Sequence, residues 1–179
     1  MLAAVASKGD ITLHNCISEH LDCLTAKILE MGGHVVENGD SLRVWCDNQI
    51  NKTNVKTAPY PGFPTDLQPQ IGVALSIANG TSIINESIWE SRFQYTAELN
   101  KMGANITAQG KTAFFEGVSS LSGAPVYASD LRAGAALIIA GIIANGKTEL
   151  YNLEHIDRGY EDIEEKFRKL GANIQRVEE

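Results

Sequence analysis

Three stretches of this chain repeat one another, and a chain that repeats at this spacing must build its core by stacking similar units. SKGDITLHN (7–15) is followed by MGGHV (31–35), ANGTSIINE (78–86) by MGANI (102–106), and ANGKTELYN (144–152) by LGANI (170–174). From the first glycine to the second is 23 residues in block one (Gly9 to Gly32), 23 in block two (Gly80 to Gly103) and 25 in block three (Gly146 to Gly171). Successive blocks are offset by 71 and 66 residues, counted from the first glycine. Each block reads as an apolar helix closed by glycine, a short β-rich strand, an amphipathic helix closed by the second glycine, and a further strand. The predicted class is therefore α/β, in one domain of three repeats: about 1–56 (incomplete), 57–125 and 126–179.

The helices of a block differ in their surroundings. Residues 67–78 and 131–144 are apolar nearly all round and are expected inside, with sheet and amphipathic helices around them. In block two, Phe93, Ala97 and residues 99–102 read as the apolar face of an amphipathic helix, with Gln94, Glu98 and Lys101 toward water. Both apolar helices carry a start signal, Thr65-Asp66-Leu67-Gln68 and Ser129-Asp130-Leu131-Arg132, in which a hydroxyl can cap and a carboxylate favours the positive end. Asp66 precedes Gly80 by 14 residues and Asp130 precedes Gly146 by 16, so block one's aspartate would lie about five residues before Met1. The chain is thus expected to begin inside a helix, as the C-terminal portion of something longer; a naturally frayed first helix is the plainer alternative.

Composition narrows the function classes. A formal net charge of −7 argues against general nucleic-acid binding, which needs a basic footprint. Cys16, Cys23 and Cys46 show no CxxC spacing, so neither a disulfide framework nor a zinc site is indicated, and a reducing cytoplasm fits best. The apolar run 131–144 falls short of the roughly 18–20 residues of a membrane span, and the first ten residues lack the basic start of a signal peptide. No metal and no cofactor is expected.

The candidate chemistry clusters around proline. TAPYPGFPTDLQPQ (57–70) holds four of the five prolines, and such a stiffened loop is one whose shape matters. It ends by presenting Asp66, either as a simple helix-start residue or as a general base on a substrate hydroxyl. A helix N-terminus favours the charged carboxylate and so weakens it as a base. Arg132 and Arg158 both fall near expected helix starts, where free amides and a guanidinium suit an anion. Arg92 occupies in block two the slot of Arg158 in block three, each standing 12 residues after its glycine. The plainer alternative for Arg158 is a pair with Glu161 or Asp162. His155 beside Asp157 reads as structural.

APYPGFPTDLQPQ, SRFQYTAELNKMGA, LSGAPVYASDLRAGAALIIAG and YNLEHIDRGYEDIEEKFRKLGANI closely resemble the C-terminal part of the enolpyruvyl transferases that act on UDP-N-acetylglucosamine. The resemblance runs over essentially the whole chain, in order. It implies an inside-out α/β barrel of βαβαββ units, N-terminally incomplete here, and transfer of enolpyruvate from phosphoenolpyruvate to the 3-hydroxyl of the UDP-sugar in peptidoglycan synthesis. By motif, Asp66 would contact that hydroxyl and act as base. Ile88 would offer backbone contacts to the sugar, with Trp89 where the family commonly has phenylalanine. Asp130 would serve in proton relay, Arg132 in anion binding, and Arg158 would hold the phosphoenolpyruvate-derived group. The family's catalytic-cysteine loop matches none of the three cysteines here, and its uridine-binding segment lies in a missing N-terminal half, so the chain alone is expected to be inactive. A non-catalytic binding module with the same fold, or a relative of the shikimate-pathway enolpyruvyl transferase, is the alternative.

Overall fold

The computed structural model describes residues 1–177. The chain opens with α1 (Leu2–Ser7), β1 (Asp10–Leu13), α2 (Asp22–Glu30), β2 (His34–Asn38) and β3 (Ser41–Trp45). It continues with β4 (Val55–Lys56), α3 (Gln68–Ser76), β5 (Thr81–Asn85), α4 (Tyr95–Lys101), β6 (Asn105–Gln109) and β7 (Thr112–Glu116). Last come β8 (Pro125–Tyr127), α5 (Leu131–Ile143), β9 (Glu149–Tyr151), α6 (Glu154–Asp157) and α7 (Ile163–Lys169).

The strands form three separate sheets, ordered β1-β3-β2, β4-β5-β7-β6 and β8-β9. Within each, pairing follows one plan. The hairpin β2–β3 or β6–β7 lays its second strand antiparallel to β1 or β5, and β4 and β8 run parallel to β5 and β9. Successive sheets are stitched by the same bridge, Asn51 to Asn79 and then Ser122 to Asn145. The long α3 and α5 pack on each other and on α1. Every residue of α3 is buried, as are Ala133–Ala140 of α5. This is the inside-out arrangement the apolar helices called for: each fully buried Leu, Ile or Val contributes about 1.5–3 kcal/mol.

The second glycine of each block ends its amphipathic helix by the same double bond. Gly33 N–H and Gly32 N–H donate to the carbonyls of Ile28 and Leu29; Ala104 and Gly103 donate to Leu99 and Asn100; Ala172 and Gly171 donate to Phe167 and Arg168. In this motif the residue just beyond the helix's C-cap is left-handed, and Gly32, Gly103 and Gly171, each following the C-cap, have φ of 85°, 89° and 97°. The first glycine behaves differently. Helices α3 and α5 end before it, at Ser76 and Ile143, and in block one Lys8 rather than Gly9 takes the left-handed turn.

Two further expectations are corrected. Residues 172–177 form no strand, because β2 and β6 pair only with the strand that follows them, and among the described residues 170–177 have none. The segment is instead held by Arg176, which bonds Asp157 at 2.7 and 3.0 Å and Glu164 at 2.9 Å. On α4 the buried face is Tyr95, Thr96, Leu99 and Met102 beyond Phe93, while Ala97 is exposed, because residues 92–94 form a 3-10 turn that rotates the helix relative to a continuous α pattern.

Gly72 in α3 tests this packing. A Cβ there would stand 2.5 Å from the buried Tyr95 hydroxyl and 3.2 Å from Phe115. Gly72→Ala is expected to lower stability in denaturant unfolding by about 1–3 kcal/mol from overpacking. In a Tyr95→Phe background most of that loss should disappear, because the clashing oxygen is gone; an equal loss in both backgrounds would contradict the packing.

Candidate active site

The proline loop turns sharply before α3. Residues Thr65–Leu67 form a 3-10 turn, and neither Thr65 nor Asp66 caps the helix with its side chain. Pro69, in the first turn of α3, has no N–H to satisfy. In α5 the corresponding aspartate does cap: the Asp130 carboxylate accepts from the N–H groups of Arg132 at 2.8 Å and Ala133 at 3.1 Å. The two start signals, equivalent in sequence, thus have different jobs. Asp130 is committed to its helix, and Asp66 is released from such a duty.

Asp66 faces two arginines. Arg132 Nε donates to its Oδ1 at 2.8 Å and Arg132 Nη2 to its Oδ2 at 3.1 Å, a bidentate pair. Arg92 Nη2 stands 3.8 Å from the same Oδ1. The hydrogen bond from Arg132 above all, with the charges of Arg132 and Arg92, holds the Asp66 carboxyl below its ordinary value, and Asp66 in turn raises Arg132. The Arg92 side chain is only 10% exposed, lies over the Trp89 ring at 5.5 Å, and keeps a buried Nε with no partner among the described residues. Trp89, Ser91, Arg92, Asp130 and Arg132 line an open cleft of about 230 Å³.

A larger cavity of about 930 Å³ lies elsewhere, between α5, β9 and residues 173–177. It is lined by none of the candidate residues and sits where the other sheets carry a hairpin, so it is a gap in the third sheet's cover rather than the chemical site.

Six of the seven candidate residues come together here. Asp66, Trp89, Arg92, Asp130 and Arg132 share the cleft or its rim, and Ile88 adjoins them. The Ile88 N–H already donates to Glu86 at 2.8 Å, so a backbone contact from Ile88 to a ligand would use its carbonyl. Arg158 is placed differently from the expectation. It follows the last turn of α6, whose carbonyl end suits a cation, and α7 starts only at Ile163. It pairs with neither Glu161 nor Asp162; Lys166 takes Glu161 instead, at 3.6 Å. Arg158 is exposed and does not line the cleft, though its neighbours pack toward it: Gly159 lies against the Leu131 side chain, and Tyr160 is close enough to influence Arg132.

The sequence reading missed Glu86. Its side chain is buried, 1% exposed, and accepts hydrogen bonds from Thr57, Thr65, Ile88 and Trp89. A signal existed in the repeat: blocks one and three place Asn15 and Asn152 at this position, both left-handed, and block two alone carries an acid with ordinary backbone.

The chain is similar in sequence and in fold to known proteins. The EPSP synthase (3-phosphoshikimate 1-carboxyvinyltransferase) family matches residues 1–167. The chain is 55% identical over 177 residues to UDP-N-acetylglucosamine 1-carboxyvinyltransferase of Clostridium botulinum, covering 99% of this chain and 42% of that protein. It is 48% identical over 180 residues to the enzyme of the same name from Finegoldia magna, covering 99% and 43%. Among solved structures, the enolpyruvyl transferase NikO from Streptomyces tendae superposes with a TM-score of 0.87 at 27% identity, over 97% of this chain and 42% of that one. EPSP synthase from Acinetobacter baumannii shares the fold, at a TM-score of 0.62 and 17% identity over 90% of this chain and 41% of that one. The chain therefore spans about 42% of the length of the curated relatives it matches.

The ion pair at the cleft has a signed consequence. Because the folded Asp66 carboxyl is depressed, the pair stabilises the fold above the ordinary aspartate value of about 4, and that contribution is lost as pH falls through the depressed value. With Asp66 57% exposed the contribution is below about 1 kcal/mol, so titration is the better readout. Carboxyl NMR is expected to place Asp66 below the ordinary value and to move it up in Arg132→Met; an unchanged titration in that variant would contradict the pairing.

Proposed function

Because the chain belongs to the EPSP synthase family of carboxyvinyl transferases, we propose that it is part of an enzyme transferring enolpyruvate from phosphoenolpyruvate to the 3-hydroxyl of UDP-N-acetylglucosamine, with release of phosphate. The observation that carries this reading is Asp66: a carboxylate freed from helix capping, at a cleft rim, between two arginines. The nucleotide-sugar branch is favoured over the shikimate branch by identities of 48–55% to the former against 17% to a solved structure of the latter.

In this reading the arginines and the aspartate change partners. Phosphoenolpyruvate brings a carboxylate and a phosphate, each suited to a guanidinium fork, and Arg132 and Arg92 are placed to receive one of them, with Arg158 approaching from the α6 end. Once Arg132 turns to the incoming anion, the interaction that depresses Asp66 weakens, and its carboxylate becomes a stronger base for the sugar hydroxyl. The hydroxyl oxygen then bonds to the central enolpyruvyl carbon as its proton passes to Asp66, and a proton delivered through a relay to solvent makes the methylene a methyl group. Loss of a proton from that methyl group back to the relay, with departure of phosphate, restores the double bond. Asp130, still capping α5 through Oδ1, has its second oxygen toward Ser129 and available for proton relay.

The chain itself is one domain of three units, about 1–56, 57–125 and 126–179. It works with the rest of the longer protein, in the cytoplasm, as a step of cell-wall synthesis on which cell shape and division depend. Since a site divided between two bodies loses proximity and preorganised charge when one is absent, the chain alone has no useful turnover.

The test is phosphate release from phosphoenolpyruvate and UDP-N-acetylglucosamine by the chain, alone and mixed with the separately made remainder of a relative. Release is expected only in the mixture and should fall by about 10²- to 10⁴-fold in Asp66→Asn. Release by the chain alone would contradict the divided site. Silence in both, with UDP-sugar binding that Asp66→Asn leaves unchanged, would favour a non-catalytic binding module.

A further inference from the structure

The proline loop and the segment carrying Arg92 come from opposite ends of the β4–α3–β5 unit, yet both are fastened to one side chain. Glu86 follows β5 and is 1% exposed. Its Oε1 accepts from Thr57 Oγ1 at 2.8 Å, from Ile88 N–H at 2.8 Å and from Trp89 N–H at 3.1 Å; its Oε2 accepts from Thr65 Oγ1 at 2.9 Å. Thr57 opens the proline loop and Thr65 closes it, directly before Asp66. The connection is reinforced at Thr57, whose Oγ1 accepts from Ser87 N–H at 2.8 Å and whose carbonyl accepts from Ser87 Oγ.

These bonds reach the cleft from both sides. Through Thr65, Glu86 sets the turn that points Asp66. Through the amides of Ile88 and Trp89 it sets the loop whose tryptophan ring lies against Arg92, the residue 3.8 Å from Asp66. The two backbone N–H groups lie outside any helix or strand, and a buried acceptor is what satisfies them. Carboxylate oxygens accept several donors at once, which is why one residue can tie three segments.

We propose that Glu86 is a positioning residue that fixes Asp66 and Arg92 relative to one another, acting through the hydrogen bonds it accepts and without touching substrate. The catalytic part of this role rests on the reading of Asp66 given above.

Glu86→Gln and Glu86→Ala separate acceptor geometry from bulk. Glutamine keeps Oε1 for three donors and offers Nε2 to the Thr65 hydroxyl, which can accept. In Glu86→Ala, amide exchange at Ile88 and Trp89 is expected to accelerate roughly 10- to 100-fold, and carboxyl NMR should show the Asp66 titration moving toward its ordinary value. Glu86→Gln should return both toward wild type. In the complemented mixture, kcat should fall by about 10²-fold in Glu86→Ala with a smaller change in KM, and recover in Glu86→Gln. An Asp66 titration unmoved in Glu86→Ala, or a glutamine variant as impaired as alanine, would overturn the proposal. Should Glu86→Ala not fold, Thr65→Val carries the test, since it cuts only the bond to the Asp66 turn. It should move the Asp66 titration while exchange at Ile88 and Trp89 stays as in wild type; an unmoved titration would overturn the proposal. If the wild-type mixture released no phosphate, the reading of the reaction would fail, while exchange and titration would still decide the role of Glu86.

Discussion

Two helices buried over most of their length impose the constraint from which the rest follows. With α3 wholly buried and residues 133–140 of α5 inside, the backbone groups left unpaired at their starts need partners from the protein itself. At the start of α5 the answer is a capping carboxylate, Asp130. At the start of α3 it is a 3-10 turn, a proline that removes one donor and a loop stiffened by three further prolines. The cleft lies where these two helix starts meet, and the difference between the solutions is what leaves Asp66 available.

Electrostatics at that meeting point is set by an imbalance. The cleft brings two guanidinium groups to the one carboxylate that caps no helix, because the second carboxylate gives one of its oxygens to backbone N–H groups. With Arg132 on Asp66, the aspartate is a weak base and the arginine is half-occupied. In the proposed reaction, incoming phosphoenolpyruvate competes for Arg132 and its arrival strengthens the base, so that substrate binding and base activation are one event.

Much of this was legible in the sequence, and the exceptions have physical causes. The repeat announced the three glycine-closed helix ends, and all-round apolarity placed α3 and most of α5 inside. The third unit's last strand was not legible, since a strand is made by its partner and the sequence pattern of 170–174 says nothing of whether one is present. Ala97 was assigned to the wrong face because a 3-10 turn at 92–94 shifts the phase of the helix after it. Of the site, Asp66, Arg92, Asp130 and Arg132 were found from loop stiffness, helix-start chemistry and repeat position. Arg158 was expected near a helix start and does not line the cleft; its place at a helix end depended on a break between α6 and α7 that an apolar pattern does not show. Glu86 escaped because a buried acid reads as a surface residue until its four donors, drawn from three segments, are seen together.

The proposed reaction requires that Asp66 meet the sugar hydroxyl. The most direct measurement is the affinity of the complemented protein for UDP-N-acetylglucosamine and for an analogue lacking the 3-hydroxyl, with wild type and Asp66→Ala compared by calorimetry. Wild type should prefer the hydroxylated sugar by roughly 10- to 100-fold, the range for a hydrogen bond to a charged group, and the variant should lose that preference. The same preference in both would mean that the hydroxyl is held by another group and that Asp66 serves only its pair with Arg132.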